Sequence, residues 1–70
     1  MDPDSALQIC DELLEDLQDL PEAAEEFAES VHEKVRDVQE WIEARDFVTH
    51  GQEFLLRRLR RGVDKWLCDE

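Results

Sequence analysis

Apolar residues recur along this chain at intervals of three and four, in three blocks separated by two short breaks. That spacing predicts amphipathic helices and no strands. The longest block is residues 21–45, PEAAEEFAESVHEKVRDVQEWIEAR, with no glycine and no proline after its first residue. At 1.5 Å per residue it makes a helix of roughly 37 Å. With Ala24 at zero and 100° per residue, Ala28, Val31, Val35, Val38 and Ile42 all fall within about 40° of it. Phe27 and Trp41 widen the arc on one side to roughly 140°, enough for two neighbouring helices. Glu25, Glu29, Glu33, Glu40 and Glu43 occupy the remaining surface.

The first block opens with Asp2-Pro3-Asp4, a capping aspartate, proline at the first helical position and an acid in the first turn. Ala6, Ile9, Cys10, Leu13, Leu14, Leu17 and Leu20 line its apolar face, with Leu7 on one flank. The face spans about 160°, more than one neighbour would cover. Proline at position 21 disfavours helix at Leu20, and Asp19 followed by Glu22 has the form of a capping box. Both predict a tight reversal at this junction; a continuous helix kinked at Pro21 is the alternative. Past Phe47 and Val48, Thr49 and Gln52 form a second capping box. The third helix presents Leu55, Leu59, Val63 and Trp66, flanked by Leu56 and Leu67. Gly62 lies on the same face, where it would let a neighbouring backbone approach closely. The expected fold is all-α, a small three-helix bundle running up, down and up, with helices at about 3–19, 21–46 and 50–67. Its aromatic residues would plug the two ends, Trp41 with Phe54 at one and Phe27 with Trp66 at the other.

Composition narrows the function class. Seventy residues make a single small domain, 1–70, at a size where a second copy commonly adds to a marginal core. The net charge is −12, and it is unevenly placed. Residues 1–46 carry 16 acidic and 3 basic side chains, whereas residues 47–70 carry 4 and 5. Such a surface opposes nonspecific attachment to nucleic acid or anionic membrane. No apolar run approaches a membrane span, and MDPDSALQ has no basic n-region or signal core, so a cytoplasmic location is expected. Two cysteines, Cys10 on the apolar face and Cys68 near the end, do not make a disulfide framework.

The candidate chemistry is thin. Glu29-x-x-His32 has the spacing of half a di-iron carboxylate site. Glu29, however, falls about 140° from the stripe centre, where it faces water. His50 stands in the first turn of helix 3 with no nucleophile or carboxylate arranged around it by sequence. No Walker loop, dinucleotide fingerprint or paired-cysteine zinc motif is present. No catalytic, cofactor or metal site and no small-molecule substrate is therefore expected. The distinctive local feature is FLLRRLRR, residues 54–61, whose Arg57, Arg58, Arg60 and Arg61 are expected on the side of helix 3 away from its apolar face. They could compensate acids of helices 1 and 2 or bind a partner. The expected function is that of a non-enzymatic interaction or structural module that binds another protein or itself. A homodimer is expected, with Leu7 and Leu14 in its interface and the arginines as a second contact. The alternative is a nucleic-acid-related regulator, either a DNA mimic through its acidic helices or a phosphate binder through the arginines.

Overall fold

The structure, a computed structural model, describes residues 1–68. Helix α1 runs Pro3–Leu17, α2 Glu25–Arg45 and α3 His50–Cys68, with a 3-10 turn at Glu22–Ala24 leading into α2. They form the expected up-down-up bundle, in a body of 37 × 17 × 17 Å. The chain reverses at Pro21 and does not continue as one kinked helix. None of the described helices is long and apolar enough to cross a membrane.

The core is almost entirely aliphatic. Ala6, Cys10, Leu13 and Leu17 from α1 meet Val31, Val35, Val38 and Ile42 from α2 and Leu56, Leu59 and Val63 from α3. No charged or polar side chain is buried among the described residues. The centre of the α3 face is Leu56, which is fully buried, and not Leu55, which is half-buried. The face is turned by about 40° from the sequence expectation, since Leu59 and Val63 belong to both. α1 is the helix that packs broadly against both others, while α2 and α3 meet far less. The helix with the widest apolar arc takes the central place, although α2 is the longest. Width decides because a neighbour on each side needs apolar surface on each side.

The two connections close differently. At the first, α1 ends in turn hydrogen bonds, with the Asp19 N–H donating to the Asp16 carbonyl at 3.0 Å. Pro21 is extended (φ −70, ψ 163), makes no side-chain cap, and its carbonyl accepts from the Ala24 N–H at 2.9 Å. The Asp19–Glu22 capping box expected from the sequence does not form. At the second, Asp46 takes the left-handed conformation (φ 53) that ends many helices, and aspartate tolerates it better than most residues. Thr49 and Gln52 then form the expected reciprocal cap. The Gln52 N–H donates to Thr49 Oγ1 at 3.1 Å, and the Thr49 N–H donates to Gln52 Oε1 at 3.0 Å.

One aromatic end is as expected. The Phe27 and Trp66 rings lie 6.3 Å apart, and Phe27 fills the space over Gly62. A Cβ on Gly62 would come within 2.9 Å of Phe27 Cζ, so the glycine admits a ring where a neighbouring backbone was expected. The other end differs from the expectation. Trp41 pairs with Phe47, at 6.3 Å, and Arg45 stacks 4.7 Å over the indole. Phe54 plugs nothing and is 70% exposed.

Candidate interaction surface

Burying Leu56, Leu59 and Val63 fixes what the rest of α3 presents. Stepping 100° per residue, Phe54, Arg57, Arg58, Arg61 and Lys65 fall in one arc of about 100°, directly opposite that core face. The arc is therefore a consequence of the helix's own periodicity. Phe54, Arg57, Arg58, Arg61 and Lys65 are all exposed. Arg57 makes an i,i+4 pair with Glu53 at 2.9 Å, a surface contact of small worth. Arg58, Arg61 and Lys65 make no ion pair among the described residues.

Arg60 departs from the sequence expectation. It lies on the α1 side of α3, donating to Asp16 at 2.6 Å and pairing with Asp64 at 3.3 Å. Together with the amino terminus of Met1, 3.9 Å from Glu53, it ties the parallel pair α1 and α3 at two levels. The expected compensation by acids of helices 1 and 2 thus applies to Arg60; Arg57 pairs within α3, and Arg58 and Arg61 pair with no acid among the described residues. Beside the stripe a groove of about 750 Å³ runs between α1 and α3, with Ile9 and Leu56 in its lining, Phe54 and Arg61 on one side and Glu12 on the other.

The opposite charge is collected on α2. Glu26, Glu29, Glu33, Asp37 and Glu40 follow one another at spacings of three and four, and all are exposed. None pairs with a cation among the described residues. Leu7 and Leu14 are half-buried and packed against the core, and Leu14 lines a shallow groove towards Ala28 and His32 of α2.

The remaining candidates stay dispersed. Glu29, His32 and His50 are exposed, and among the described residues no group of three or more potential ligands could hold a metal ion. The two cysteines are free. Burial raises the Cys10 thiol from 9.0 to about 11, with the Asp11 charge adding to the rise, so it remains a protonated core residue at neutral pH. Sequence reasoning assigned Phe54 to the core because aromatic residues usually plug bundle ends. The signal against that was available, since its spacing to Arg57, Arg58 and Arg61 is the i, i+3, i+4, i+7 of one face. Comparison with protein-family models, curated proteins and solved structures finds no match to this chain.

Proposed function

We propose that this protein is a non-enzymatic interaction module that acts by self-association, as a homodimer. The observation that carries this reading is the exposed Phe54 set among Arg57, Arg58 and Arg61 on a chain whose other surfaces are dominated by carboxylates. A large exposed aromatic flanked by arginines is the composition of a protein-binding patch. The surface of opposite charge that would receive it is carried by the same chain. Sedimentation equilibrium at tens of micromolar and low salt is the direct test. A mass of twice the 8.3 kDa monomer is the expected result, and a mass of one monomer across that range would overturn the reading.

A second reading has one observation in its favour, the unbroken carboxylate ridge of α2. Rows of carboxylates can stand in for phosphates, which would make the chain a DNA mimic directed at a nucleic-acid-binding protein. Competition with duplex DNA for such a protein is its test.

A further inference from the structure

Building on the self-association proposed above, we infer that the cationic stripe of α3 lies along the carboxylate ridge of α2 in a second copy, twice, about a two-fold axis parallel to the bundle. The α2 ridge, Glu26 to Glu40, is about 21 Å long, and the cations from Arg57 to Lys65 extend about 12 Å, so the ridge can span the whole stripe.

The levels of the residues supply the register. In a two-fold dimer with its axis along the bundle, any two residues level with each other within one chain are level across the interface. α3 begins where α2 ends, and at the far end Phe27 meets Gly62 and Trp66. Counting along the two antiparallel helices between those points places Arg58 between Glu33 and Asp37, Arg61 between Glu29 and Glu33, and Lys65 level with Glu26. Each cation therefore meets a carboxylate of the second copy, and the two-fold axis repeats every pair. Phe54 is level with Glu40 and Trp41, and it gives the contact an apolar end near the half-exposed Trp41 and Phe47 pair of the second copy.

Every contributing charge is one that the described residues of its own chain leave unpaired. The pairing uses the same patch on both subunits, as a closed two-fold dimer requires. It also explains how a chain of charge −12 can associate with itself, because the cations are concentrated on one helix face. Leu7 and Leu14 have part of their surface committed to the core, which leaves the α3 stripe as the larger unpartnered surface.

Complementary charge reversal tests this contact. One variant carries Arg58→Glu, Arg61→Glu and Lys65→Glu; the other carries Glu26→Lys, Glu33→Lys and Asp37→Lys. All six positions are exposed, and circular dichroism checks that each variant remains helical. Each alone should dimerise at least ~100-fold more weakly than the natural chain, because like charges then face each other. An equimolar mixture should recover a dimer containing one copy of each. The natural dimer should also weaken in salt on the order of 1 M, where the screening length is about 3 Å. A natural dimer that both variants preserve would discard this interface while leaving self-association standing, and Leu7→Glu with Leu14→Glu would then locate the contact. A mass that grows past the dimer would overturn the two-fold closure. A natural chain that stays monomeric overturns the interface and the self-association reading together.

Discussion

The two ends of this bundle are built from similar residues and finish differently. At one, Phe27, Trp66 and Gly62 interlock across α2 and α3. At the other, Trp41 and Phe47 pair beneath Arg45, Phe47 is 58% exposed and Phe54 70%. The difference comes from helical phase. Gly62 and Trp66 point from α3 towards α2, and the glycine removes the Cβ that would hold the ring off. Phe54 falls opposite the core face, and no rotation of α3 could bury it without exposing Leu56 and Val63. The closed end holds α2 to α3, and the open end leaves Phe47 and Phe54 in solvent.

The largest effect expected from this comparison is at the closed end. Phe27→Ala should cost about 2–3 kcal/mol in denaturant unfolding, while Phe47→Ala at the open end should cost no more than about 1 kcal/mol. Equal losses would mean that the two ends contribute alike.

Between the ends lies Cys10, which is fully buried. Its folded-state value is raised above the unfolded one, so the folded chain keeps a proton that the unfolded chain releases. Stability is therefore unaffected below pH 9 and falls between 9.0 and about 11. The loss is on the order of 2 kcal/mol. Cys10→Ala should flatten that alkaline slope in unfolding curves; a slope unchanged by the substitution would place its cause elsewhere.

Gly62→Ala sharpens the account of the closed end. Alone, it should destabilise by about 1 kcal/mol as the new methyl displaces the Phe27 ring. In a Phe27→Ala background the sign should reverse, because the helix-propensity gain of up to about 1 kcal/mol is then unopposed. A double-mutant cycle without coupling would show that Phe27 does not depend on the glycine. The smallest effect belongs to the open end. Phe54→Ser should change the stability of the monomer by no more than about 0.5 kcal/mol while weakening self-association. A large loss of monomer stability would mean that Phe54 packs after all.

The two capping patterns show where sequence reading succeeds and where it stops. Thr49-x-x-Gln52 closes reciprocally because the Thr49 N–H is free to receive the glutamine side chain. Asp19-x-x-Glu22 has the same form, but the last turn of α1 has already taken the Asp19 N–H. In a reversal this short, one residue cannot end one helix and cap the next. The pattern states which side chains could bond, and it does not state which donors remain unspent. The same limit applied to the arginines: their number and spacing were legible, but whether each had found a carboxylate depended on Asp16 lying across from Arg60.

At Pro21 the sequence favoured a reversal and left a kinked continuous helix open; what it determined by itself were the three apolar helical blocks and nearly the whole aliphatic core. These follow from a local period of 3.6 residues, repeated over enough turns to be unambiguous. Only the tertiary structure decided that α1 and not α2 is central and that Leu56 and not Leu55 leads the α3 face. Those outcomes depend on how three stripes of unequal width share one core. A turn of about 40° decides which side chain enters it, and that choice belongs to the neighbouring helices as much as to the one that carries the residue.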